Sequence, residues 1–453
     1  MTCDRPNIVM IVCHDLGQHL GCYGAGLQTP HIDAIARGGA LFTNYHCTAA
    51  QCSPSRGSIM TGKYPHNNGL VGLAHIGWEY NPGETTLQMY LSQAGYTTHL
   101  FGVQHETGGD ATDLGYQYVE ARGSAALPLA GDLAKWLQAR AAGGEQAPFF
   151  ACLGTGEPHR PYRREGYRAD DPEQVQLLPW LPDRPGIRGD IAQLNGLVYA
   201  LDEAVGTVTR ALEQTGLSED TLLIFTTDHG IAMPRAKCTC YDPGTKTALA
   251  MRLPGRWDRG AVHDELLTNC DLLPTITELI AEPPPTGIDG RSFLGLLDGA
   301  DYTPRDSIFT EMTYHGVYNP MRCIRTNSHK YIRNFGQLPL VYMPTDIMEW
   351  PAGAEMLEEY CSSSRPEEEL YDLRDDPLEM TNIAGEPSHA DTLADLRGKV
   401  DGWMNDTGDL LLEGRWPSNP EHARRLGKMF RTDRFKKWMD YYTHDQIWFL
   451  DAD

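Results

Sequence analysis

Four short apolar runs, at residues 7–12, 97–103, 149–153 and 222–227, each break off into acids and imidazoles. The first leads into Cys13-His14-Asp15 and the second into Gln104-His105. The third passes a Gly-Thr-Gly turn into Glu157-Pro158-His159, and the fourth meets Asp228-His229-Gly230. Apolar runs of this length fit strands buried on both faces, and longer mixed segments lie between them. Residues 190–215 place Leu194, Val198, Leu201, Val205 and Val208 at three- and four-residue intervals, a stripe that faces a core. Further helical patterns cover 86–94 and 271–280. The expectation is an α/β fold with a large, mainly parallel sheet flanked by helices. In such sheets ligands bind beyond the carboxyl ends of the strands. The four clusters should therefore converge on one site.

After residue 281 the texture changes. A Pro-rich stretch at 282–287 (EPPPTG) and a polar break near 298–306 interrupt the pattern. Strand-like runs at 321–325 and 330–333, an acidic turn-rich segment and a late helix at 391–404 follow. We read a catalytic α/β domain over 1–300 and a smaller α+β carboxy-terminal domain over 301–453. The tail, 422–453, combines basic and aromatic residues. It is expected to pack on the body or on a second subunit of a homo-oligomer, with substrate contact the weaker option.

With 61 acidic against 38 basic residues, the formal net charge is -23. A field of that sign repels nucleic acid, anionic membranes and long polyanions. An anionic substrate must then be drawn by local cations, which favours a small molecule or a chain end. No apolar stretch approaches the ~18 residues of a membrane span. Nor does a basic segment with a longer apolar stretch and a cleavage site open the chain, so a cytoplasmic location is expected. Eleven cysteines without a repeating spacing argue for reduced thiols. Cys238 and Cys240 lack a second pair at metal-ligand spacing and read as ordinary thiols.

Asp15, Asp228 and His229, with His14 beside them, have the chemistry of a divalent-metal site, although Asp228-His229-Gly230 alone would also suit a cap or turn. Between the first two strands lies Cys52-Ser53-Pro54-Ser55-Arg56. Pro54 suits the first turn of a helix, which puts Cys52 at or just before its amino terminus, where negative charge is favoured. Arg56, four residues on, returns to the same face, and its guanidinium fork suits a tetrahedral oxyanion.

CSPSR resembles the Cys-x-Pro-x-Arg signature of the type I, formylglycine-dependent sulfatases of the alkaline phosphatase superfamily. The flanking TPHIDAIARGGALFTNYH and GSIMTGKYPHNNG, the metal-motif segment TDHG and the late segment ELYDLRDDPLEMTNIA are similar to the same family. HNNGLVGLAH, EPHRPY, PGTKTALAM and NPMRCIRTNSHKYIR look most like its N-sulfoglucosamine sulfohydrolase branch.

The resemblance implies hydrolysis of a sulfate ester or sulfamate, of a small sulfated sugar, with formylglycine made from Cys52 by a maturation enzyme. The hydrated aldehyde is the nucleophile, and one divalent metal is held by His14, Asp15, Asp228, His229 and residue 52. His105 matches the histidine that deprotonates the second hydroxyl, and His159 the one at the leaving group. Arg56 holds position 52. Lys237 contacts sulfate, with Lys246 the competing candidate, and Glu157 meets a polar group of the substrate or makes a structural hydrogen bond.

Two positions depart from the family pattern. His14 stands for the first of two adjacent aspartates, which makes manganese or zinc more competitive against the typical calcium. Val103 stands where the family has a sulfate-binding lysine. A phosphonate or phosphate ester hydrolase of the same superfamily, and a catalytically silent relative, are the alternatives.

Overall fold

Alternate residues of each central strand face opposite ways, and both faces are buried. From the strand Asn7–Cys13, Val9, Ile11 and Cys13 enter one core while Ile8, Met10 and Val12 enter another. Phe149–Gly154 and Thr221–Thr227 divide in the same way. This explains why those segments read as unbroken apolar runs. The computed structural model describes residues 5–257 and 260–430.

The main sheet has eight strands in the order Tyr118–Glu120, Thr97–Gly102, Phe149–Gly154, Asn7–Cys13, Thr221–Thr227, Leu249–Arg252, Ala40–Phe42, Ala261–His263. Leu249–Arg252 runs antiparallel to both of its neighbours, and the other pairings are parallel. The registers align Gly102 with Gly154, Val12 with Gly154, and Cys13 with Thr227. Four carboxyl ends therefore share one rim, as the sequence pattern required.

Helices cover both faces. On one, Pro185–Gln214 supplies Leu194, Val198 and Leu201 beside Leu133 and Leu137 of Ala126–Gly143. On the other lie Cys52–Thr61, Leu87–Gln93 and Leu272–Leu279. Thr86 caps Leu87–Gln93, its side chain accepting from the Met89 amide, so the helix begins one residue after the expected segment.

A second, antiparallel sheet follows, with the order Ser307–Tyr314, Tyr318–Thr326, His329–Asn334, Glu368–Asp372. The late helix is Ala390–Asp406. Helix Pro420–Phe430 returns to the body. Asn419, just before it, donates to Gly77 O at 2.7 Å, and Trp78 Nε1 donates to His422 Nδ1 at 2.6 Å. This part of the expected tail packs on the same chain, and 431–453 lie outside the described residues. The described cysteines are free thiols, with Cys238 and Cys240 buried. No described helix is long and apolar enough to cross a membrane.

Candidate active site

Cys52 is the first residue of its helix, with Gln51 at the cap. Its thiol therefore sits at the positive end of the helix dipole. The helix points this end at the rim of the main sheet. Cys52 Sγ lies 3.4 Å from His229 Nε2 and 3.9 Å from Asp15 Oδ1. One turn on, Arg56 is 2% exposed and donates from Nε to Asp228 Oδ2 at 3.1 Å. Ser55 of the same turn donates to the Asp228 carbonyl and accepts from Asn269 Nδ2 at 2.9 Å.

The loops after the strands supply the rest. Asp15 adopts φ +48° and His105 φ +66°, a left-handed backbone that is uncommon away from glycine and concentrates at functional sites. The Asp15 amide donates to Asp228 Oδ1 at 3.0 Å, and the His229 amide to the same oxygen at 2.8 Å. Gly230 completes that turn because a β carbon there would lie 2.0 Å from Pro243 O.

Charges alternate through this buried centre. His229 Nε2 is 3.0 Å from Asp15 Oδ1, and Lys237 Nζ is 2.9 Å from Asp15 Oδ2. His14 Nδ1 is 2.8 Å from Asp228 Oδ2. Burial opposes ionisation of Asp15, but Lys237, His159 and His229 outweigh it and hold the carboxyl well below its ordinary range. Burial likewise opposes a charged His229, yet Asp228 and Asp15 hold its imidazole well above the ordinary value, and a cation taken by Nε2 would displace that proton. Burial, then Arg56, pushes His14 down to about 4, so its ring is neutral. Burial, with His14 and Arg56 beside it, keeps His105 well below the ordinary range, which favours the unprotonated ring.

Ligand atoms of His14, Asp15, Cys52 and Asp228 lie within 4.8 Å of one another. His14 Nε2 is buried without a hydrogen-bond partner. Two buried carboxylates, a neutral imidazole with a free nitrogen and His229 beside them make a donor set that fits a divalent cation.

A cavity of about 210 Å³ opens over Cys52. His105, His159 and Lys237 line it, and Leu73, Val317, Tyr342 and Leu426 form apolar walls. His159 directs Nδ1 to Arg160 O at 2.6 Å, which leaves Nε2 on the Asp15 side, 3.7 Å from Oδ2. The structure thus gathers His14, Asp15, Cys52, Arg56, His105, His159, Asp228, His229 and Lys237.

Two expected substrate residues do not join them. Lys246 lines a different cavity and faces Asp242 at 3.8 Å. Glu157 is fully buried: its carboxylate accepts from the Ala126 amide at 2.9 Å and from the Tyr167 hydroxyl. It is a structural anchor for the helix Ala126–Gly143.

Sequence reasoning missed Asp346, which bonds Lys237 Nζ at 2.8 Å, and also His75, His315 and Leu426 on the cavity wall. Asp346 and His315 come from segments that carry no motif, while His75 closes HNNGLVGLAH and Leu426 lies in the tail, and nothing local marks either as a cavity wall.

The sequence model of the sulfatase family matches residues 6–281. The chain belongs to the sulfatase family. It is accordingly a hydrolase of sulfate esters or sulfamates. A second model, the carboxy-terminal region of N-sulphoglucosamine sulphohydrolase, matches residues 235–355. An ulvan-active sulfatase of Formosa agariphila is 30% identical, over 90% of this chain and 82% of that protein. The human N-sulphoglucosamine sulphohydrolase is 28% identical, over 89% and 91%. Among solved structures, a Bacteroides thetaiotaomicron protein of glycosaminoglycan metabolism gives a TM-score of 0.74 at 19% identity, covering 91% of this chain and all (100%) of the other. The phosphonate monoester hydrolase of Agrobacterium radiobacter gives 0.71 at 20% identity, covering 89% and 96%. Both share the fold, which is that of the alkaline phosphatase superfamily.

Proposed function

We propose that this sulfatase acts on a small sulfated sugar, with formylglycine derived from Cys52 and one divalent cation. The observation that carries the reading is the position of Cys52: first in its helix, on the floor of the cavity, 3.4 Å from His229 and 3.9 Å from Asp15. His14, Asp15, Asp228, His229 and residue 52 would hold the cation. Two carboxylates suit calcium, and two imidazoles raise the claim of manganese or zinc. When present, formylglycine supplies a hydrated aldehyde whose hydroxyl attacks sulfur, and the cation supplies positive charge beside it.

The remaining work falls to side chains on the page. Arg56 fixes the nucleophile's helix against Asp228, and Lys237 offers its ammonium to the sulfate oxygens. His159 delivers a proton from Nε2 to the leaving group, since Nδ1 is committed to a carbonyl. His105, held neutral, accepts the proton when sulfate is released. A cavity of about 210 Å³ admits a monosaccharide or a chain end rather than the middle of a polymer. The net charge of -23 argues the same way.

Peptide mass spectrometry across Cys52, on protein from a host with a maturation enzyme, should show a loss of about 18 Da as CH₂SH becomes CHO. That protein should cleave aryl sulfates or sulfated sugars faster than aryl phosphonate esters, and a chelator should stop it until metal is restored. An unmodified thiol, beside a converted control sulfatase in the same cells, overturns the reading. Faster phosphonate turnover transfers the site to the other branch of the superfamily.

A further inference from the structure

A cavity built to take an anionic sulfate should avoid carboxylates, yet one of its walls carries Asp346. It is the sole carboxylate among the described residues that line the cavity. Its side chain is 27% exposed, so it can be reached from the cavity, and it shares Lys237 with Asp15 at 2.8 and 2.9 Å. A ring nitrogen of His159 and one oxygen each of Asp15 and Asp346 lie within 4.8 Å of one another. The group that delivers the leaving-group proton thus stands beside an anion that the catalytic scheme above does not use.

We propose that Asp346 selects sulfamates over sulfate esters, its carboxylate receiving the leaving nitrogen beside His159 as that nitrogen becomes an ammonium. The proposal rests on reading this cavity as a sulfatase active site. As the S–N bond of R–NH–SO₃⁻ breaks, its electron pair goes to nitrogen, which takes one proton from His159 to leave as R–NH₂. This amine, far more basic than an alcohol, takes the second proton released by the water to become R–NH₃⁺. Overall, R–NH–SO₃⁻ + H₂O gives R–NH₃⁺ + SO₄²⁻, with water supplying the fourth oxygen and both protons. An ester gives R–OH and HSO₄⁻, so no cation develops at the leaving atom. Only the sulfamate places a new positive charge against Asp346.

The ion pairs support the exchange. Sulfate oxygens drawing on Lys237 would leave Asp346 short of its partner at the moment the amine gains charge. Burial opposes ionisation of Asp346, but Lys237 outweighs it and brings the carboxyl to about 2, so it is anionic at neutral pH. Asp346 sits on the short helix Thr345–Met348, in the part of the chain that follows the second sheet's first three strands. The selecting group therefore comes from outside the main-sheet rim that carries the catalytic residues.

The test compares mature wild type and Asp346→Asn on N-sulfoglucosamine and on N-acetylglucosamine 6-O-sulfate. Asparagine keeps an oxygen for Lys237, so the lysine stays in place and the charge alone is lost. Expected is a wild type that prefers the sulfamate, and a variant whose sulfamate kcat/KM falls at least about tenfold more than its ester kcat/KM. The loss should appear in kcat more than in KM, because the ammonium forms during the reaction. Residual ester turnover shows that the variant is folded. Equal losses on both substrates overturn the proposal and make Asp346 a positioning residue for Lys237. A wild type that cleaves the ester but not the sulfamate also overturns it, while leaving the sulfatase reading intact. Cleavage of neither by formylglycine-bearing protein sinks both.

Discussion

Nε of Arg56 lies 3.1 Å from Oδ2 of Asp228, with the two side chains 2% and 0% exposed. This pair ties the nucleophile's helix to the loop after the strand Thr221–Thr227, so one contact fixes two halves of the site. Removing one partner of a buried pair leaves an uncompensated charge, at a cost of about 3–5 kcal/mol. His14 also faces Asp228 and softens the loss. Arg56→Met should therefore sit near the lower figure and be inactive. Urea denaturation and a turnover assay measure the two effects, and a variant of wild-type stability would show that the pair does not hold the site together.

Cys52→Ala should abolish turnover and cost about 1 kcal/mol, because the side chain is small and stands at a cavity floor. Circular dichroism and thermal melting report the fold. Wild-type rates in this variant would end the formylglycine account.

The sequence puts Lys237 first as a sulfate contact with Lys246 as its competitor, and the structure places Lys237 on the cavity over Cys52 and Lys246 on another. Lys237→Ala should lower kcat by about 10²–10³-fold, the cost of losing one charge-stabilising donor. Lys246→Ala should leave kcat/KM within about twofold. The reverse ranking would move the sulfate pocket to the cavity beside Asp242.

The helix Pro420–Phe430 should loosen in acid. Its His422 accepts a hydrogen bond from Trp78 at 2.6 Å and needs a bare Nδ1 to do so. Burial, with His75 nearby, lowers His422 from 6.5 to about 3. Between those values the unfolded chain binds a proton that the folded chain refuses. The contribution is thus complete above about pH 6.5 and is lost as pH falls toward 3. His422→Gln keeps an acceptor for the indole without titrating. The wild type should lose more of its urea midpoint than the variant between pH 7 and pH 5, and equal losses would remove His422 from the account. Leu426 of the same helix lines the cavity, so activity should fall over the same window.

The legible parts of the protein were those with local signatures. Val9, Ile11 and their alternates could be read as a doubly buried strand because both faces demand apolar side chains. Pro54 placed Cys52 at a helix start, and the parallel sheet placed four loop clusters on one rim. Glu157 stayed open between a substrate contact and a structural hydrogen bond because a carboxylate after a strand suits both equally well, and the structure shows the hydrogen bonds. Asp346 stayed hidden because it reaches Lys237 across 109 residues of chain, from a short turn of helix with no motif.

Hydrophobic patterning and the CSPSR motif, acting through near neighbours, by themselves determined the α/β sheet, the shared rim and the place of Cys52 at the start of its helix. Tertiary structure alone decided which lysine faces the thiol, that Glu157 is interior, and that Asp346 and Leu426 complete the cavity. Those choices depend on how separate segments pack in space, and no spacing along the chain encodes the distance between two side chains that only the folded core brings together.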